Sequence, residues 1–281
     1  MIEKVNPSHP DKVADRIAGA IVDLAYKKTE NPKIAVEVLI GHGACHTIIE
    51  TDADIWPFQV DAIIERICGI GIECDTKIVP QDAHLAENQA KEVRCGDNGI
   101  FKGRPIDKET EKLTQTVKAF YEKWPTDGKF IYDEESGIFV ACQSNAKNDE
   151  IEKWLETEEI LPIGTYAIIN PLGEWTGGTD VDTGATNRKL GSDMGRAITG
   201  GGLHGKDLSK ADVAVNIMCH RLAQEYQQTI NAMCSIGDVA VMFRNADGIT
   251  TSVAYKDVVE CAREYIKACG GFEKFAEWGL C

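Results

Sequence analysis

Residues 170–212 read NPLGEWTGGTDVDTGATNRKLGSDMGRAITGGGLHGKDLSKAD, and this stretch decides how the rest of the chain is read. It is dense in glycine and short of the apolar residues a core requires. Glycine admits positive φ and lets the backbone approach a ligand closely. Among the glycines stand Asp180, Asp182, Arg188, Lys189, Lys206 and Lys210. Four cations beside two carboxylates suit a polyanion together with a group that a carboxylate can hold. Gly, Thr and Asp also build ordinary solvated turns. A structureless loop of this length is nevertheless uncommon in a compact domain unless it is functional. Residues 200–206 spell G-x-x-x-x-G-K, close to a P-loop. That motif requires Ser or Thr next, a strand before and a helix after. Here Asp207 follows, and residues 192–199 make a poor buried strand. Phosphate chemistry is expected without the P-loop fold.

The chain has 281 residues, enough for one to three domains with an ample core. Hydrophobic residues make up 43%, ordinary for a globular protein. A formal net charge of −15 argues against nucleic acid or an anionic membrane as partner. A polyanionic ligand must therefore find a local cationic pocket on a repelling surface. No apolar run approaches the ~20 residues of a membrane span, and Met1-Ile2-Glu3-Lys4 begins no signal peptide. The 10 cysteines contain no C-x-x-C pair and are scattered like the buried thiols of a cytoplasmic protein, so a cytoplasmic location is expected. His42, Cys45 and His46 lack a second ligand pair at zinc spacing and read as a hairpin tip.

A first helix opens at Ser8-His9-Pro10-Asp11, after which Val13, Ile17, Ile21 and Leu24 recur at helical spacing. Ser8-x-x-Asp11 resembles a capping box. Alone, Asp11 reads as a helix-start carboxylate and His9 as a surface histidine. Residues 34–40 and 46–51 read as strands around a Gly41-His42-Gly43 turn. Glu37 and Glu50 lie within them, where a carboxylate is disfavoured unless it faces solvent or a ligand. A helix follows over 57–70 and a short strand over 76–79. Residues 81–102 are polar and irregular: a plain surface loop, or a lid over a ligand. Helices over 113–124, 148–159, 209–226 and 256–269 then alternate with strands over 130–133, 138–143, 165–170, 232–236 and 239–244. Ser209-x-x-Asp212 repeats the capping pattern. Paired strands followed by a helix thus recur about three times, a period closer to a small domain than to a solenoid unit. The expected fold is α+β: three similar domains in pseudo-threefold arrangement, each a mixed β-sheet with helices on one face. The spans are 1–99, 100–172 and 173–281.

Three stretches carry a resemblance. Ser8-His9-Pro10-Asp11-Lys12 resembles the HPDK signature of the methionine adenosyltransferases, the S-adenosylmethionine synthetases. Residues 177–189, GGTDVDTGATNRK, are similar to that family's GGPxGDxGLTGRK. Residues 200–212, GGGLHGKDLSKAD, are similar to its GGGAFSGKDPSKVD, and Cys95-Gly96-Asp97-Asn98-Gly99 stands where the family has GDQG. The order is kept over most of the chain, with Asn170-Pro171-Leu172-Gly173 just before the second signature.

The resemblance implies a three-domain α+β fold and an enzyme that joins ATP and L-methionine. The methionine sulfur attacks C5′ of ATP, and the displaced tripolyphosphate is hydrolysed to phosphate and pyrophosphate. It implies Mg²⁺ and K⁺ as cofactors and a homodimer with sites at the subunit interface, or a tetramer built from it. By the same resemblance, His9, Lys129, Arg188, Lys189 and Lys206 meet the phosphates as catalytic cations. Asp127, Gly128, Glu174, Trp175, Asp182 and Gly202 complete the ATP site. Glu50, Gln81, Asp97, Asp182 and Lys210 form the methionine site. Asp11 and Asp212 hold Mg²⁺, and Glu37 holds K⁺. There are departures: Thr179, Asp180 and Val181 replace a Pro-containing run, Val213 stands for an Arg, and the segment after Gln81 is shorter. Two other functions stay open. One is a nucleotide phosphohydrolase without methionine dependence. The other is a non-catalytic nucleotide-binding relative, against which the joint presence of His9, Asp11, Lys129, Arg188, Lys189 and Lys206 speaks.

Overall fold

The computed structural model describes residues 1–199 and 201–281, with side chains except at 85, 89–91, 198 and 199. Among these residues the strands form three sheets. A middle sheet has the order Ile2–Val5, Gly128–Asp133, Ile138–Gln143, Tyr166–Ile169. A hairpin sheet has the order Glu73–Val79, Ala44–Thr51, Ile34–Gly41, Thr183–Ala185. A five-stranded sheet runs Ile198–Thr199, Gly99–Gly103, Ile230–Cys234, Ala240–Arg244, Thr250–Ala254. Each sheet borrows a strand from far along the chain. The N-terminal strand sets Val5 opposite Lys129, and the Gly-rich stretch lends Gly184 opposite Ile40.

The expected α+β class, with helices on one face of each sheet, is what the chain forms. Pro10–Lys28 and Pro57–Cys68 cover the hairpin sheet, Lys108–Lys123 and Asn148–Thr157 the middle sheet, and Ala211–Tyr226 and Tyr255–Cys269 the five-stranded sheet. The pattern follows strand alternation. Ile34, Val36, Val38 and Ile40 point into the core, while Glu37 and Leu39 point out. His42 and Gly43 both have positive φ, as a two-residue hairpin turn requires. One continuous core joins the hairpin and five-stranded sheets, and a separate aromatic core around Phe120, Phe130 and Phe139 serves the middle sheet.

The first helix is buried on nearly all sides because three neighbours close on it. The short helix Phe272–Trp278 packs so near that a Cβ on Gly19 would meet the Phe272 carbonyl oxygen at 2.6 Å. The Gly-rich stretch packs closer still. A Cβ on Gly184 would lie 2.0 Å from the Pro10 carbonyl oxygen. The region read as irregular, 81–102, contains the helix Ala83–Lys91 and the start of the strand Gly99–Gly103.

Gly184→Ala should therefore destabilise the fold by about 1–3 kcal/mol or more, the range for forced overpacking. The denaturant midpoint measures this. An unchanged midpoint would mean that the helix start is not held against Gly184.

Candidate active site

The site begins where the first helix does. His9, not Ser8, is the N-cap: its Nδ1 accepts the Asp11 N–H at 3.2 Å. Ser8 instead donates its hydroxyl to the Pro125 carbonyl, so the capping box read at Ser8 does not form. Asp11 in the first turn is buried and receives the Ala185 N–H at 2.9 Å. Lys189 Nζ lies 2.6 Å from Asp11 Oδ2, and Arg188 Nε lies 3.5 Å from Oδ1. Burial alone would raise the Asp11 carboxyl. Lys189 and the Ala185 N–H outweigh it and hold Asp11 below its ordinary range. His9 goes down to about 4, through burial first and then through Lys189, with Lys129 adding and Asp11 opposing. At neutral pH His9 is an uncharged imidazole facing a cationic neighbourhood.

Lys129 stands on the strand Gly128–Asp133, with its ammonium 3.2 Å from Glu3. Just before it, buried Asp127 accepts the Gly178 N–H at 3.0 Å. Burial pushes Asp127 up to about 6. The Gly178 contact opposes the rise, and Asp182 and Asp11 add to it. Asp182 itself is exposed. Trp175 is half-buried and donates its ring N–H to Asn170, while Glu174 is exposed. Gly177 makes room for the Trp175 ring, which a Cβ there would meet at 2.6 Å.

The second cluster is Lys206 with Asp212, which share a short charge-assisted hydrogen bond. Gly205 has φ +78°, and its backbone passes against Val36, so that Lys206 bridges Ala35 at the edge of the hairpin sheet. Ala35 also pairs with Glu50, which places Glu50, Ala35 and Lys206 in one row across the strands. The helix Ala211–Tyr226 starts from Lys210 with no side-chain cap bond, so the box read at Ser209 does not form either. Its Asp207 does the local work, accepting the Ser209 and Ile34 N–H groups. Gly202 faces Asn187, whose side chain a Cβ would meet at 2.5 Å. Gly200 lies outside the described residues.

The structure thus joins His9, Asp11, Arg188 and Lys189 directly, and Lys206 with Asp212. Glu37 is outward-facing and accepts the Thr186 hydroxyl. Glu50, Gln81, Asp97 and Lys210 stand on four separate segments.

Sequence reasoning missed a buried charge cluster beneath both groups. Lys12 Nζ lies 2.6 Å from Asp193, 3.1 Å from Asp15 and 3.4 Å from His204. Asp15, Asp193 and His204 have the spacing of metal ligands, but the Lys12 ammonium lies among them. Asp15 also receives the Asn187 N–H at 2.7 Å, and Asn187 exchanges hydrogen bonds with the His204 backbone. The residues beside Arg188 and Lys206 are therefore fixed by one buried network.

Comparison with known proteins agrees with these motifs. A family model, S-adenosylmethionine synthetase, N-terminal domain, matches residues 1–91. An S-adenosylmethionine synthase of Rhizorhabdus wittichii is 28% identical over 96% of this chain and 85% of its own. One from Erythrobacter litoralis is 30% identical over 79% of this chain and 72% of its own. In structure, an S-adenosylmethionine synthetase from Campylobacter jejuni aligns with a TM-score of 0.75 over 100% of this chain and 93% of that one, at 20% identity. The chain belongs to the S-adenosylmethionine synthase family.

Folded Asp127 keeps its proton to about pH 6, while the unfolded chain loses it near 3.8. The stability this contributes is whole below 3.8 and lost as pH rises through about 6. Asp127→Asn stays neutral throughout. It should melt like the parent below about pH 3.8 and at a higher temperature than the parent above about pH 6. Equal melting temperatures across that window would show that Asp127 is solvated.

Proposed function

We propose that this chain is a methionine adenosyltransferase. It joins ATP and L-methionine into S-adenosylmethionine and then hydrolyses the tripolyphosphate to phosphate and pyrophosphate. One observation carries the reading: His9, Arg188 and Lys189, from two distant motifs, gather around the buried Asp11 carboxylate. Arg188 and Lys189 there present cations, and neutral His9 a ring N–H, to a polyphosphate on a surface that otherwise repels it.

The chemistry suits these residues. A thioether is neutral and needs no general base. Setting it in line with C5′ is a positioning task, and good orientation is worth effective molarities of ~10⁵–10⁸ M. Negative charge gathers on the leaving tripolyphosphate, so His9, Lys129, Arg188, Lys189 and Lys206 stabilise it by preorganised contact. Asp127, Gly128, Glu174, Trp175, Asp182 and Gly202 hold the rest of ATP. Glu50, Gln81, Asp97, Asp182 and Lys210 hold methionine.

The residues present fit Mg²⁺. Asp11 and Asp212 offer hard carboxylate oxygens, and each is neutralised by a lysine that phosphate can draw away. Gly201 leaves space at Asp212, where a Cβ would lie 2.3 Å from the carboxylate. Bound there, Mg²⁺ supplies countercharge to the phosphates. Outward-facing Glu37 holds K⁺.

The outward apolar side chains Leu39, Ile48, Ile100, Met233 and Met242 support a homodimer with its sites between subunits. A monomer by light scattering at assay concentration would remove that part of the reading.

Purified protein with ATP, Mg²⁺ and methionine should yield S-adenosylmethionine by mass detection. Phosphate release that is equal with and without methionine, and no sulfonium product, would favour a phosphohydrolase. Lys206→Ala should lower turnover by ~10²–10³ with the fold intact, as loss of a preorganised charge contact does. Near-normal turnover would reduce Lys206 to a loop residue. Asp11→Asn and Asp212→Asn should raise the Mg²⁺ concentration for half-maximal rate. If these carboxylates serve only the fold, melting temperature falls and the Mg²⁺ curve stays in place.

A further inference from the structure

Cys95 and Cys234 set their sulfur atoms 3.4 Å apart in a buried position. They come from distant parts of the chain. Cys95 precedes the strand Gly99–Gly103, and Cys234 ends the strand Ile230–Cys234, opposite Gly99. The backbone around them is bracketed by main-chain hydrogen bonds. Cys95 N–H donates to the Asp238 carbonyl at 2.9 Å, and Gly237 N–H donates to the Cys95 carbonyl at 2.8 Å. The turn that follows one cysteine therefore holds the other in place.

The pair also lies under two residues of the proposed methionine site. Cys95 Sγ is 2.8 Å from the Asp97 carbonyl oxygen. Gly96 N–H donates to the Ser209 carbonyl, which also receives the Tyr255 hydroxyl, and Ser209 adjoins Lys210. A covalent S–S bond is ~2.05 Å long, so bonding draws the sulfurs together by about 1.3 Å from their 3.4 Å separation. It also removes the Cys95 proton that Asp97 accepts.

We propose that Cys95 and Cys234 form a reversible disulfide on exposure to a peroxide, and that this bond shifts the Asp97 loop and weakens the use of methionine. The effect on methionine rests on the function proposed above; the bond itself does not. Hydrogen peroxide oxidises one thiolate to a sulfenic acid and leaves as hydroxide. The second sulfur attacks the first, and the hydroxyl departs as water with the remaining thiol proton. Two S–H groups and one peroxide become one S–S bond and two waters, and a dithiol reductant reverses the change. Contact with the Cys234 thiol lowers Cys95 against the effect of burial, while Cys234 is raised, so Cys95 is the first to ionise.

The test is a peroxide titration of the whole purified protein. Remaining thiols are blocked, and the protein is digested for mass analysis alongside methionine kinetics at saturating ATP. A linked Cys95–Cys234 peptide is expected. With it, kcat/KM for methionine falls by roughly tenfold to ~10²-fold, the scale of a misplacement of about 1 Å. Dithiothreitol should restore both. Cys234→Ala, with Cys95→Ser as a second variant, should keep the reduced kinetics and lose the peroxide effect. Unlinked cysteines at every peroxide dose overturn the site. A linked peptide with unchanged methionine kinetics overturns its control of the loop. Protein that makes no S-adenosylmethionine but still forms the link separates failure of the functional reading from failure of the bond.

Discussion

A buried ammonium at Lys12 is the constraint on which the rest of the site depends. Only 1% of its side chain is exposed, so the charge cannot be left to water. Burial pulls its pKa down, but Asp193 and Asp15 more than offset this, and Lys12 stays protonated. The three partners lie on three different segments. Asp15 is one turn along the first helix, Asp193 is in the short helix Leu190–Met194, and His204 is in the Gly-rich loop. Removing one partner of a buried pair costs about 3–5 kcal/mol because the other charge is left unanswered. These segments are therefore held in one arrangement, and the residues that border them inherit it. Arg188 and Lys189 follow Asn187, which Asp15 and His204 fix. Lys206 stands two residues after His204.

Much of this was legible in the sequence, for reasons that differ by element. The hairpin 34–51 and the helices show strong periodicity because each has one dry face and one wet face. Arg188, Lys189, Lys206 and Lys210 stand out because the glycines around them leave few other uses for so many cations, whereas His9, Asp11, Lys129 and Asp212 read as surface, turn or capping residues until the family resemblance singles them out. What could not be read came from partners far along the chain. Ile2–Val5 is too short to announce itself and is a strand only because Gly128–Asp133 pairs with it. Gly99–Gly103 looks like polar loop, yet it lies between two other strands of the five-stranded sheet. Lys12, Asp15, Asp193 and His204 each look like surface residues in isolation. Their burial is a property of the cluster, since none could be buried without the others. The nearest sequence signal was Lys12 and Asp15 at helical i,i+3 spacing, beside a run of buried alanines and isoleucines.

The two kinds of charge in this molecule do opposite work. Lys12 and its partners are sealed and mutually satisfied, so they hold one arrangement. Lys189 and Lys206 also have carboxylate partners, but their side chains keep 14% and 19% of their exposure. Each lysine answers a carboxylate that would otherwise be buried without a countercharge. On the function proposed above, a polyphosphate would draw these lysines to its oxygens, and Asp11 and Asp212 would then be left to hold a divalent cation. Such an exchange would leave few charges unpaired at any stage, so the site would need little reorganisation to accept a dense anion. It would also reconcile a net charge of −15 with the proposed binding of a polyphosphate, because the cations are kept paired rather than displayed. The buried network beneath fixes where such an exchange would take place, and the partly exposed pairs above it fix what could enter.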